Sequence, residues 1–88
     1  MIIGKVVGSL VSTRKNEKLI GNKFLIVKPA KSMSDGKNLV ATDDVGAGIG
    51  EIVLVATGSA ARVGCGAPDS PIDAAIVGLV DDGADLEI

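Results

Sequence analysis

Residue types and spacing suggest chemistry at Asp44-Val45-Gly46-Ala47-Gly48-Ile49-Gly50-Glu51 before anywhere else in this sequence. Three glycines at every second position free the backbone to take positive φ and remove side chains that would hold a neighbour at a distance. Such a turn can also aim N–H groups at an anion, so a nucleotide phosphate is the first ligand to test. A dinucleotide fingerprint wants G-x-G-x-x-G between a strand and a helix. Here the glycines are evenly spaced, Glu51 puts a carboxylate where the third glycine belongs, and Ile52-Val53-Leu54-Val55-Ala56 reads as a buried strand. Too few of the 88 residues follow Glu51 to complete a nucleotide-binding half, and no Gly-Lys-Ser/Thr closes a P-loop. The reading left is that another protein backbone, from this chain or a copy of it, packs against the glycines.

The rest of the inventory offers little to a catalyst. With no histidine, the commonest general base and metal ligand is missing, and Cys65 has no imidazole partner. One cysteine does not make a structural zinc site. The acids Asp43, Asp44, Glu51, Asp69, Asp73, Asp81, Asp82 and Asp85 fall at strand ends and turns, where such residues ordinarily sit. No catalytic, metal or cofactor site is expected. Glu51, Arg62 and Asp73 flank the driest segments, and their expected role is charge-assisted hydrogen bonding that fixes register within or between subunits.

These residues must be carried by a small scaffold. The chain is expected to be one domain over residues 1–88, with 47% apolar residues but 1% aromatic, Phe24 alone. Small aliphatics bury less area each than aromatics, so at about 25 cal/mol per Å² an isolated domain of this size is marginal, and oligomerisation is the natural remedy. A net charge of −2, with no basic run beyond Arg14-Lys15, gives no electrostatic reason to expect nucleic acid or an acidic membrane as partner. The start Met1-Ile2-Ile3-Gly4-Lys5-Val6 lacks the charged opening and long apolar run of a signal peptide, so the cytosol is the expected compartment. No stretch reaches the ~20 apolar residues of a membrane span.

In chain order, Ile2 to Thr13 predicts a long first strand that bends at Gly4 and Gly8, and Arg14-Lys15-Asn16-Glu17-Lys18 a charged turn. Lys23 to Lys28 predicts the second strand, ended by Pro29, with a turn-rich segment from Ala30 to Asn38 after it. Leu39 to Thr42 is the third strand and Ile52 to Thr57 the fourth. Gly58 to Gly64 predicts one or two helical turns, capped by Ser59 and terminated by Gly64. The fifth strand is read over Ile72 to Val80, followed by an Asp81-Asp82-Gly83 turn and a tail from Ala84 to Ile88.

Five short strands and one small helix predict an all-β fold, a five-stranded OB-like β-barrel, closed or nearly so. Neither Ile52-Val53-Leu54-Val55-Ala56 nor Ala74-Ala75-Ile76-Val77-Gly78-Leu79-Val80 alternates apolar with polar, so both faces of each are expected to be dry. A barrel has one interior. Its dry outward faces are therefore expected to meet other subunits, and head-to-tail contacts about one axis close into a ring. The alternative for the same barrel is an OB-like ligand- or single-stranded nucleic-acid-binding module, which would stack bases on aromatics in a basic groove; one aromatic and an acidic balance count against it.

Five blocks in order resemble the vertex proteins of bacterial microcompartments, the EutN/CcmL family. They are Gly4-Lys5-Val6-Val7-Gly8 with Thr13 and Lys15; Gly21-Asn22-Lys23-Phe24-Leu25-Ile26-Val27; the glycine turn to Glu51; Gly58-Ser59-Ala60-Ala61-Arg62; and Pro71-Ile72-Asp73-Ala74-Ala75-Ile76-Val77-Gly78-Leu79-Val80-Asp81. The resemblance implies a cyclic homopentamer, with some members hexameric, that caps five-fold vertices of a polyhedral shell otherwise tiled by hexameric shell proteins. It implies a structural and not a catalytic role in the cytoplasm. It places subunit contacts or an axial opening at Gly46, Ala47, Gly48, Gly50, Glu51, Ser59, Ala60, Arg62 and Asp73. Where many members carry an aromatic after the glycine-glutamate pair, this chain has Ile52.

Overall fold

A computed structural model describes residues 1–11, 16–19, 21–33, 37–66 and 69–81. Strands β1 (Ile2–Leu10), β2 (Phe24–Pro29), β3 (Leu39–Asp43), β4 (Ile52–Thr57) and β5 (Ala74–Leu79) close into a barrel in the order β1-β2-β3-β5-β4. The one helix among the described residues longer than a single 3-10 turn is α1 (Ser59–Gly64), between β4 and β5. The predicted OB-like barrel is thus present and closed. All pairings are antiparallel except β3 with β5, which is parallel and short, joining Thr42 to Ala75 and Asp43 to Ile76.

Valine and isoleucine dominate the strands because branched side chains pack well on a pleated sheet. Val6, Leu25, Val27, Ala41, Val53, Val55 and Ile76 fill the interior, with Ile2 and Leu39 against them. β1 bends as expected: its register to β2 slips between Val6 and Gly8, a bulge that re-aims the strand. Gly4 is the position where glycine is sterically required, since a Cβ there would lie 2.6 Å from Val27 Cγ1 and 2.8 Å from the Lys28 carbonyl oxygen.

Several boundaries differ from expectation. β1 ends at Leu10, and the predicted Ser12-Thr13 extension, Arg14-Lys15 and the segment from Asp82 to Ile88 lie outside the described residues. β5 begins at Ala74 because the residues before it are engaged elsewhere: the Asp73 carbonyl accepts the Gly58 N–H at 2.8 Å, and Ile72 is buried under α1. Ser59 is not the helix cap. Gly58 takes that position at φ 65°, with no side-chain cap bond, and Ser59 is the first helical residue. Gly64 closes the helix without a positive φ; the left-handed residue is Gly66, at φ 71°, whose N–H reaches the Val63 carbonyl at 3.1 Å.

The expectation that the outer faces of β4 and β5 are left for other subunits needs correction for one half of that surface. Ala56 and Ala75 face outward but are covered by Ala61 of α1 and by Ile72, with Leu19, Cys65 and Val77 at the margin. The uncovered half lies toward the other end of the strands, where Ile3, Ile52, Leu54 and Gly78 are half-buried. Among the described residues no helix is long and apolar enough to cross a membrane.

Candidate subunit-contact site

The glycine turn is organised by an acid just before it. Asp43, 6% exposed at the end of β3, accepts the Val45 N–H on Oδ1 at 3.1 Å and the Ala47 N–H on Oδ2 at 2.9 Å. An aspartate that bonds the backbone two and four residues on folds the chain back over itself. Lys23 Nζ completes the arrangement, 3.4 Å from Asp43 Oδ2 and donating to the Ala47 carbonyl at 3.1 Å. The bend drives the Ala47 methyl into the barrel core, so the turn floors the barrel.

The second half of the turn is tied to β1. The Gly50 N–H donates to the Val6 carbonyl at 2.8 Å and the Val6 N–H to the Glu51 carbonyl at 2.9 Å. Glu51 Oε1 accepts the Gly48 N–H at 2.6 Å, a charge-assisted bond. Of the three glycines only Gly46 and Gly50 take positive φ, 84° and 94°, and a Cβ on either would meet nothing within 4 Å. Among the described residues nothing packs on the side of either glycine that a Cβ would occupy; β1 meets Gly50 only through the Val6 carbonyl. The turn therefore presents Val45 and Ile49, 42% and 67% exposed, from a braced loop.

The remaining candidates lie at the far end of β4, a strand of six residues and so about 20 Å long. Ser59 and Ala60 are exposed on the first turn of α1. Arg62 is half-buried and donates from Nη1 to the Ile72 carbonyl at 3.1 Å, which holds the helix to the segment entering β5. The Asp73 carboxylate is exposed and bonds no described residue. The nine sequence candidates thus form two groups at opposite ends of the barrel. Ala47 alone among them turns its side chain inward.

Sequence reasoning passed over Asp43 as one more strand-end acid. The available signal was its offset of two and four from Val45 and Ala47 in a turn where alanine is the one apolar residue small enough to tuck in. Of the three charges expected to fix register, Glu51 and Arg62 bond backbone within the subunit, and Asp73 contributes its carbonyl only. Cys65 is half-buried, its thiol 3.5 Å from the Arg62 carbonyl. A base-stacking platform would have to rest on Phe24, which is half-buried, and the nearby Lys23 ammonium is committed to Asp43.

A barrel with this strand order, a braced glycine turn and a helix lying on its outside has close relatives. The family model described as ethanolamine utilisation protein EutN/carboxysome matches residues 1–81. The bacterial microcompartment shell vertex protein GrpN of Rhodospirillum rubrum (strain F11) is 53% identical over 83 residues, covering 92% of this chain and 93% of its own. The shell vertex protein PduN of Salmonella typhimurium is 44% identical over 89 residues, with 92% and 96% covered. The solved structure of the GrpN pentameric microcompartment shell protein from Rhodospirillum rubrum superposes with TM-score 0.81 at 50% identity, covering 93% of this chain and 95% of that one. The chain belongs to the EutN/CcmL family of microcompartment shell vertex proteins.

Proposed function

We propose that this chain assembles head to tail into a ring of five that closes the five-fold vertices of a bacterial microcompartment shell in the cytoplasm, with the rim of the ring seated on hexameric shell units. One observation carries the reading. A subunit that leaves Ile3, Ile52 and Leu54 only half covered has the fold, at TM-score 0.81, of a shell protein that is pentameric in Rhodospirillum rubrum. The chain is a structural shell protein and not an enzyme.

Its action is geometric. A flat sheet of hexagonal units has no curvature, and five wedge-shaped subunits about one axis supply it at a corner. The ring contacts or axial opening are assigned to the glycine turn (Gly46, Gly48, Gly50 and Glu51, with Ala47 as its inward anchor) and to Ser59, Ala60, Arg62 and Asp73. In support, Gly46, Gly50, Ser59, Ala60 and Asp73 are exposed in the single subunit.

Native mass spectrometry tests the assembly: five subunit masses are expected at micromolar concentration, and a stable monomer overturns the reading. Deleting the gene from a shell-forming host is expected to leave shells elongated or leaky. Closed shells of ordinary shape in its absence would overturn the capping role.

A further inference from the structure

Among the described residues nothing sterically requires glycine at position 78, which stands beside the bulge where the β4–β5 register skips Val77. It stands within β5, where glycine weakens a strand relative to a residue with a side chain. Its φ is not positive, and among the described residues a Cβ built on it would meet only Leu54, at 3.8 Å, an ordinary contact distance. Gly4 shows the contrast, because there the chain itself forbids a methyl group.

Gly78 also lies on the half-covered surface, at its β5 edge. The register sets Ile3 opposite Leu54 and Leu54 opposite Gly78, and Lys5 opposite Ile52 in the next row. Val53 and Val55 point into the core, so Leu54 points out. The result is a flat, mostly aliphatic face across β1, β4 and β5 that is lowest at Gly78. A flat spot among half-covered aliphatics admits a close neighbour, which a side chain at position 78 would hold off.

A second surface of different shape lies on the other side of β5. The short parallel pairing of β3 with β5 leaves an open groove of about 450 Å³ that includes Leu39, Val40, Asp73 and Ala74, and Phe24 lines its continuation. Val40 is 47% exposed in it. The two surfaces carry opposite charges that no described residue pairs: Lys5 on the flat face and Asp73 in the groove. A head-to-tail ring needs two unlike surfaces on each subunit that fit one another.

We infer that the ring closes by seating the flat β1–β4–β5 face of one subunit, at Gly78, in the β3–β5 groove of the next copy. This rests on the ring reading above and names the two surfaces that make it. The glycine is then the position where the neighbour comes closest, and the aliphatics around it become the buried centre of the contact.

The test uses Gly78→Arg and Val40→Arg, both at positions where the subunit leaves room for a side chain. Each variant alone is expected to keep the circular dichroism and melting of a folded barrel while running as a monomer. Mixed together, they are expected to give a one-to-one dimer trapped by cross-linking and nothing larger, because each retains one of the two surfaces. Either variant persisting as a ring overturns the inference, as does a mixture of two folded monomers that yields no dimer. A Gly78→Arg ring that no longer joins hexameric shell units also overturns it, since the face would then belong to that partner. A monomeric wild-type chain would instead defeat the ring reading itself.

Discussion

Ala47 donates its backbone N–H to Asp43 Oδ2 at 2.9 Å from a site where both residues are buried, 1% and 6% exposed. That bond turns a glycine-rich stretch, which would otherwise sample many conformations, into the floor of a barrel. Its partner bond to Val45 and the Lys23 ammonium make the carboxylate the hub of the turn.

Removing the hub strands its donors. Asp43→Ala leaves the Ala47 N–H buried without an acceptor, a loss of about 1–3 kcal/mol. Asp43→Asn retains one acceptor oxygen and should fall between Asp43→Ala and wild type. Asp44→Ala, at the exposed neighbour, should be close to neutral. Urea denaturation of the three variants checks the order, and equal midpoints for Asp43→Ala and Asp44→Ala would refute it.

How far the sequence carried the fold follows from the kind of signal each element had. The dry runs of β4 and β5 were legible because a strand wet on one side must alternate, and the order of turns placed all five strands within a few residues. Alternation does not say what covers a dry face, however. The small residues Ala56 and Ala75 look the same in sequence whether a helix of the same chain or another subunit lies on them, and here it is α1. Ser59 looked like a cap because serine usually is one, but Gly58 reaches a φ of 65° and takes the position instead. At the site, glycine spacing revealed the turn. The offsets of Asp43 from Val45 and Ala47 permit its role but do not dictate the fold-back that realises it, and the separation of the two candidate groups depends on the direction of β4.

Glycines of equal appearance in β1 should behave differently. Gly4→Ala forces a methyl to within 2.6 Å of Val27 Cγ1, an overpacking of about 1–3 kcal/mol or failure to fold. Gly8→Ala meets Ile26 no closer than 3.5 Å and should be tolerated. Thermal melts of both variants decide, with comparable losses counting against the packing argument.

Within the turn, the backbone separates Gly50 from Gly48. Gly50→Ala places an L-residue at φ 94° and should cost about 1–2 kcal/mol, a melting shift of about 4–8 °C per kcal/mol for a domain of this size. Gly48→Ala brings no such strain. Its Cβ stands 3.2 Å from Glu51 Oε1, so the carboxylate must give way, and the variant should resemble Glu51→Ala. If Gly48→Ala melted below Gly50→Ala, the assignment of strain would be wrong.

The single thiol reports on helix docking. Arg62 ties α1 to the Ile72 carbonyl at 3.1 Å, and Cys65, half-buried at the helix end, packs against the cluster of Ala56, Ala61, Ile72 and Ala75 that this tie keeps closed. Arg62→Ala strands a carbonyl and frees the helix to lift, while the main core around Val53 and Val55 is untouched. If the tie is worth about 1–2 kcal/mol, opening becomes about 5–30-fold more frequent. Because Cys65 is the sole cysteine, a thiol-reactive disulfide reagent reads that opening without ambiguity. Labelling of Arg62→Ala should accelerate by that factor at nearly unchanged circular dichroism, and a rate equal to wild type would mean that the helix is held by its alanine contacts alone.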